Sequence, residues 1–589
     1  MSDKDPKNKK QKGYDWALIV RIFGLARPYK GFVIGAVILT LASAVLTPVR
    51  TKLIQLALDN HVAKGDYEGL VNISLLLVGL LIINTFVNFG QSYITALLGQ
   101  SVIKDLRLKV YNFVTKLKLK YFDKTPVGTM VTRTVSDIEA LSNVFSEGLI
   151  IIAGDLLQIG VILYLMFSTD WRLTLVCLSV LPLLIFATYI FKEKVKKSFS
   201  EVRNAVSNLN AFVQEHITGM QIVQIFNREK EEYQRFKSIN TLHRNAHIRS
   251  VMYYSVFFPV VEVITAVATG LVVWYGVRQS IGSALSFGVI VSFIMYINQF
   301  FRPLRQLADR INTLQMGMVS AERVFKLIDD KKQQEPSGTY IPEKVKGDVE
   351  FKNVWFAYND EDWVLKDISF KVEEGKSLAL VGATGAGKSS IINLINKFYQ
   401  INKGEILVDN VNVNEFDIYK LREQVAVVLQ DVFLFSGSIS SNVALYDDKI
   451  SKEKIIEASK MIGAHHFIQR LPGGYDFNVM ERGNQLSVGQ RQMISFIRAL
   501  AADPKILILD EATSSVDSET EELIQNAIEI LMKGRTSIAI AHRLSTIQHA
   551  NHILVMDKGK IVESGTHDEL LEGKGYYERL YNYQFANTL

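Results

Sequence analysis

Gly382-Ala383-Thr384-Gly385-Ala386-Gly387-Lys388-Ser389 stands between a strand-like run at 377–381 and a helical run that begins at Ser390 and continues to 398. Glycines at this spacing let backbone N–H groups approach a polyphosphate, and the helix that follows adds the partial positive charge of its N-terminus. Lys388 is placed to reach the terminal phosphates and Ser389 to ligate Mg²⁺. Gly382, Thr384, Gly385, Ala386, Gly387 and Ser390 make up the rest of the expected cradle. A strand before it and a helix after it make the pattern specific and predict an α/β P-loop NTPase domain.

Downstream, the apolar run 506–509 ends in Asp510-Glu511, which sets one carboxylate beside a metal and a second where an attacking water sits. Alone, an acidic pair at a strand end is an ordinary exposed feature. Between Lys388 and Asp510 lies Leu486-Ser487-Val488-Gly489-Gln490, a Ser/Gly turn opening an amphipathic helix over 491–501. Its N-terminus is a second phosphate-facing end, one that does not easily reach the nucleotide of its own chain. Upstream, 326–347 turns polar through Lys331, Lys332, Gln333, Gln334, Glu335 and Pro336, which reads as a linker.

The N-terminal half is of another kind. The chain has 589 residues, 66 Lys+Arg against 60 Asp+Glu, a net charge of +6 and 48% apolar residues, with a mean hydropathy of +0.14. That is too long for one core and too apolar for a disordered chain or an ordinary soluble enzyme. Stretches near 31–49, 71–93, 149–167, 173–191, 253–277 and 279–301 are each long enough to cross a hydrocarbon layer of ~30 Å. The reading is therefore an all-α unit of six spans, with hairpin tips at Asp170 and Arg278.

Lysine-rich connections at 104–124 and 192–197 are expected on the cytoplasmic side, which puts both termini there and both tips outside. Residues 1–13 are a basic tail and not a cleavable signal. Trp16, Ile19, Ile22 and Phe23 among Arg21, Arg27 and Lys30 fit a short interfacial helix. Asp155 and Glu262 are carboxylates inside apolar spans, where the cost of burial marks functional candidates facing the bundle interior. The lone Cys177 excludes an intrachain disulfide, and no Cys/His spacing suits zinc. Aromatics of the last two spans, among them Tyr253, Trp274, Phe293 and Phe300, suit amphipathic drugs or lipids, although such rings more often serve packing.

On these residues nearly the whole chain resembles an ATP-binding cassette (ABC) exporter half-transporter, the six-helix multidrug or lipid type with its nucleotide domain C-terminal. The resemblance implies that Ser487, Gly489 and Gln490 are signature residues meeting a partner chain's ATP. It implies that Gln430 is the coupling glutamine and a metal ligand with Ser389 and Asp510, and that Ser514-Ser515-Val516-Asp517 is an inter-subunit loop. His542 resembles the switch histidine, Glu511 the catalytic carboxylate, and Tyr358 the ring that stacks on adenine. Thr125 to Gly128 and Glu215 to Gly219 resemble the family's two coupling segments.

The domains expected are a tail at 1–13, a transmembrane domain at 14–325, a linker at 326–347 and a nucleotide domain at 348–589. The function implied is ATP-driven export, or leaflet flipping, of amphipathic substrates across the cytoplasmic membrane, by a dimer with alternating access. The cofactors implied are ATP and Mg²⁺. The partners implied are a second half-transporter, identical or related, membrane lipid and a hydrophobic small molecule. A nucleotide-gated channel or regulator on the same fold, or a peptide exporter, stays open as an alternative. A soluble P-loop ATPase acting on nucleic acid fails on the six spans. Val488 replaces the usual middle glycine of the signature and Val516 the commoner leucine. Neutral variation and one half of an asymmetric heterodimer are both compatible with that.

Overall fold

The computed structural model describes residues 16–281, 285–359, 361–510, 518–541 and 547–584. It divides into a helical unit, 1–115 with 127–330, and a second unit made of 116–126 with 331–589.

Among the described residues, six helices of the first unit are long and apolar enough to span a membrane. The first, Lys30–Leu56, continues as a π-helical turn over Ala57–Val62. It buries a stripe of Ala36, Thr40, Ala44, Pro48, Thr51 and Gln55, spaced by three or four residues so that they share one face. Small residues permit close approach, and Gly154 of the third span takes this furthest, because a Cβ there would collide with the Thr40 methyl. The second span, Tyr67–Val114, has 48 residues and the fifth, Glu229–Ile281, has 53. At 1.5 Å per residue these are about 70–80 Å long, more than twice the hydrocarbon thickness.

The third span, Leu149–Thr169, turns into the fourth through Asp170 alone. The turn is tight because the Asp170 carboxylate caps the next helix, accepting from the Leu173 N–H at 2.7 Å. The fourth span is interrupted between Trp171–Leu178 and Leu181–Thr218, where Pro182 opens the second piece.

The boundary between the fifth and sixth spans differs from the sequence reading. Arg278 is not a hairpin tip, for it lies in the last turn of Glu229–Ile281, and the sixth span starts only at Phe287. A cation is favourable in a last helical turn, so the helix runs on to the Gly/Ser-rich stretch near 282–286. The sixth helix then continues to Asp329. The amphipathic helix Trp16–Gly24 buries Ile19 and Ile22, and Arg21 pairs with Asp329 through two bonds of 2.6 and 2.7 Å.

The second unit holds two sheets. Strands β1 (Val349–Ala357), β2 (Trp363–Val372), β4 (Lys403–Val408) and β5 (Val411–Asn412) form an antiparallel sheet in the order β2-β1-β4-β5. Strands β3 (Ser377–Gly382), β6 (Val425–Val428), β7 (Ile506–Asp510), β8 (Thr536–Ile540), β9 (His552–Asp557) and β10 (Lys560–Gly565) form the other, in the order β10-β9-β3-β8-β7-β6. All of its pairings are parallel except β9 with β10.

Alternate residues of the parallel strands enter different cores, as the two-residue period requires. Leu378, Leu380, Ile506, Ile508 and Ile538 join the antiparallel sheet and the helix Lys388–Ile395. Leu507, Leu509 and Ala539 join a helical core containing Met493, Ile494 and Ile497.

Residues 331–347 are held on this unit. The Lys118 N–H donates to the Gln333 carbonyl at 2.8 Å, and the Glu335 N–H to the Lys116 carbonyl at 3.0 Å. Arg422 grips the Glu335 carboxylate with two bonds of 2.8 and 2.9 Å and lies over the Phe398 ring. Arg422→Met keeps the stem but leaves Glu335, 17% exposed, without its fork. A loss of about 1.5–3 kcal/mol in local stability is expected. Tryptic cleavage after Lys331 and Lys332 in the folded chain should accelerate by about tenfold or more. An unchanged cleavage rate would show that the pair does not hold the segment.

Candidate functional site

The turn after β3 is built from backbone that only glycine tolerates. Gly382, Gly385 and Gly387 have φ of 155°, 85° and 104°. A Cβ on Gly382 would strike the Met556 carbonyl oxygen, and one on Gly387 would come within 2.7 Å of the Leu365 methyl. Thr384 and Gly385 are exposed, Ala386 is buried beneath them, and Ser389 is exposed at the start of the helix Lys388–Ile395. The Lys388 ammonium folds back over the loop, donating to the carbonyls of Gly382 at 2.6 Å and Ala383 at 3.1 Å. Burial pushes its pKa below the ordinary lysine value, while the nearby Asp510 charge acts in the opposite sense.

Parallel pairing brings further groups to the same edge of the sheet. Asp510 ends β7, and Gln430 lies exposed two residues past the end of β6, the strand hydrogen-bonded beside it. Neighbouring strands are about 4.8 Å apart, so Asp510 starts from the carboxyl end of the strand beside β8 and Gln430 from just past the end of the next strand out. Glu511 and His542 lie outside the described residues, as do Ser514 to Asp517.

Tyr358 follows β1 directly and is half-buried. Its hydroxyl is 3.1 Å from the Ser390 Oγ and accepts from the Asn393 side chain at 3.4 Å, which ties it to the phosphate-loop helix. Ser390 is buried, so its hydroxyl serves this tyrosine. The Tyr358 ring meets Phe356 and Tyr399 edge-on, at centroid distances of 4.7 and 4.9 Å.

Ser487, Gly489 and Gln490 stand apart from the loop. Ser487 caps the helix Val488–Ala502 in a reciprocal capping box with Gln490. Gly489 is buried, whereas the Val488 side chain is 47% exposed at the helix start. Because Met493, Ile494 and Ile497 pack with Leu507 and Leu509, this helix covers the face of β7 opposite the phosphate-loop helix.

In the helical unit, Asp155 pairs with Arg310 at 2.6 Å on the wall of a polar cavity. Glu262 is exposed and does not line it. Nor do the aromatics of the last spans, since Phe293, Tyr296, Phe300 and Phe301 are buried in a packing core and Trp274 is exposed elsewhere.

Comparison with known proteins agrees with this geometry. Residues 33–304 match the ABC transporter transmembrane region and 365–514 match the ABC transporter family. The probable multidrug resistance ABC transporter ATP-binding/permease protein YheH of Bacillus subtilis is 38% identical over 526 residues, 88% of this chain and 77% of that protein. The ATP-dependent lipid A-core flippase of Haemophilus influenzae is 36% identical over 572 residues, 96% of this chain and 97% of that protein. The solved structure of a bacterial Atm1-family ABC exporter with ATP bound superposes with a TM-score of 0.77 at 27% identity. That likeness covers 94% of this chain and 98% of that one. Six spans joined to an α/β ATPase domain define an integral membrane protein of the nucleotide-driven class. The chain belongs to the ABC exporter family.

The sequence reading passed over Tyr399. Its hydroxyl donates to the carboxylate of Asp123, on the short helix Leu119–Lys124 that belongs to the same unit. Burial and that carboxylate raise the phenol well above the ordinary tyrosine range, so it stays a donor at every physiological pH. Tyr399→Phe keeps the ring and removes this bond, at a cost of about 1 kcal/mol. Amide exchange over 119–124 should rise about fivefold while the β3 and β7 amides stay protected. Unaltered exchange over 119–124 would mean that other contacts anchor the helix.

Proposed function

We propose that the chain is one half of a dimeric ATP-driven exporter, moving amphipathic substrates such as drugs or lipids across, or between the leaflets of, the cytoplasmic membrane. The observation that carries this is the placing of Ser487 to Gln490 on the far side of β7 from the phosphate loop. One chain therefore offers a nucleotide cradle and, separately, a capped helix end free to face another chain's nucleotide. Two copies, or this chain and a related one, arranged head to tail would complete two sites. Two of the relatives, a probable multidrug resistance transporter and a lipid A-core flippase, support this class of cargo. None of the residues in the most apolar window of the second span is buried, which suits a surface covered by lipid or by the second copy.

Within each site the backbone N–H groups of residues 384–388 would enclose the polyphosphate, and Lys388 would leave its two carbonyl acceptors to meet the terminal phosphates. The exposed Ser389 hydroxyl, Gln430 and Asp510 offer oxygen donors suited to Mg²⁺, the Lys388–Asp510 attraction marking where charge gathers. When bound, the ion would neutralise charge on the phosphate oxygens. Glu511 would orient the attacking water or take its proton, and His542 would contact the terminal phosphate. Tyr358 would stack on adenine. ATP would favour closed nucleotide domains and an outward-facing membrane cavity, and hydrolysis would reopen them. Gln430 would pass the change to 125–128 and 215–219. The lysine-rich connections support a cytosolic position for these segments and both termini.

Glu511→Gln preserves size and hydrogen bonding but removes the carboxylate, so ATP should still bind and trap the closed dimer while turnover falls ~100-fold or more. Lys388→Ala should lower both affinity and turnover. Retention of most ATPase activity by Glu511→Gln would remove that residue from its role. ATP-dependent uptake of a labelled solute into inverted vesicles, against passive single-channel currents, decides between exporter and channel.

Val488 gives a further test. Its exposed branched side chain sits where backbone must come close to the partner's ATP, so the site it completes would close poorly. If the working assembly is a heterodimer with one impaired site, the chain alone should hydrolyse ATP slowly and Val488→Gly should raise the rate several-fold. Robust turnover of the homodimer, indifferent to Val488→Gly, would leave an ordinary homodimeric exporter.

A further inference from the structure

A cavity of about 550 Å³ opens among the first, second, third and sixth spans, a size that suits a headgroup or a small ligand. Among the described residues its charged lining is one carboxylate, Asp155, and two guanidiniums, Arg302 and Arg310. Asp155 and Arg310 neutralise each other at 2.6 Å, with side chains 14% and 23% exposed. Arg302 lies two helical turns before Arg310, with Gln306 between them, so these three side chains share one face of the sixth helix. Among the described residues the lining is left with one positive charge in excess. Arg302 is exposed, so its guanidinium is open to water or to an anion entering the cavity.

The remaining polar lining consists of neutral hydrogen-bonding groups, among them Ser43, Thr47, Asn88, Gln91, Ser92 and Gln158. Among the described residues no aromatic ring lines the cavity, so they offer no face to a lipophilic cation. A guanidinium fork matches a phosphate or carboxylate with two parallel bonds. We propose that this cavity receives the polar head of an amphipathic anion, with Arg302 meeting its phosphate or carboxylate and the amides and hydroxyls meeting its neutral polar groups. Asp155 holds Arg310 in place and spaces the two arginines. The proposal rests on the exporter reading and narrows its cargo from amphipaths in general to anionic ones. A membrane lipid and a soluble amphiphile share this chemistry.

The test uses the full chain in phosphatidylcholine nanodiscs without nucleotide. Phosphatidylglycerol and phosphatidylcholine probes, each carrying a diazirine next to the headgroup, are photolysed and the labelled peptides mapped. Octyl phosphate and octyltrimethylammonium, equal in tail and opposite in charge, serve as soluble competitors. Phosphatidylglycerol should label the cavity stretches 40–47, 88–95 and 151–158 on the order of tenfold more than phosphatidylcholine. Octyl phosphate should suppress that labelling and octyltrimethylammonium should not. Arg302→Gln should abolish the anion preference and Arg302→Lys should restore most of it. Protection of the cavity by octyl phosphate without phosphatidylglycerol labelling would support a soluble anionic cargo. Charge-blind labelling of the wild type, or a preference for the quaternary amine, overturns the proposal whether or not the variants fold. ATP-driven flux is measured separately in inverted vesicles. Selective labelling without flux keeps the site and removes the exporter reading. Flux of a cationic dye with charge-blind labelling does the reverse.

Discussion

Alternation along β7 sends Ile506 and Ile508 into one core and Leu507 and Leu509 into another, and the arrangement of the nucleotide unit depends on that two-sided burial. A strand covered on both faces cannot slip by one residue without exchanging its two sets of side chains. The register therefore fixes where Asp510 emerges, which helix lies behind it and which lies in front. Because the phosphate-loop helix takes one face and the capped helix Val488–Ala502 the other, the residues that grip nucleotide and those that would complete another chain's site are mounted on one rigid slab. Displacement at one is felt at the other through packed side chains.

The helical unit meets a different constraint. Helices in hydrocarbon satisfy their own backbone, so what distinguishes one contact from another is the approach of small residues and the few polar side chains. Gly154 lets the third span lie against Thr40 of the first, and the neighbouring residue, Asp155, is thereby carried to the cavity wall. Gln91 donates to Thr40 at 3.0 Å and Gln299 to Thr51 at 2.8 Å, linking the first span to the second and the sixth. The polar interior and the tight packing are thus consequences of the same residues.

Much of this was legible in the sequence, for identifiable reasons. The glycines of 382–387 announce their backbone demands in their spacing, and hydropathy alone finds the spans because lipid tolerates little else. The capped helix start at Ser487 could be read from local pattern. Boundaries were less legible. Arg278 looked like a turn because charge is scarce in spans, yet a terminal helical turn accommodates it. Arg302 and Arg310 escaped notice because the apolar run stops at 301 while the helix continues to Asp329, so the partner of Asp155 lies beyond the point where hydropathy carries information. The Tyr399–Asp123 bond joins residues 276 apart in sequence, and no local pattern encodes such a pairing.

The intercalation of 116–126 with 331–335 makes the nucleotide unit discontinuous along the chain. Its first piece is synthesised long before the rest and is separated from it by four of the six spans. Closing so large a loop is entropically costly, and contacts of this kind form late. The C-terminal unit can collapse around its own sheets as it leaves the ribosome, but the backbone bridge between Leu117 and Gln334 must wait until the intervening helices are in place. Completion of that bridge therefore reports that the helical half has been threaded correctly, and a chain with misinserted spans would present a nucleotide unit with this edge unfinished.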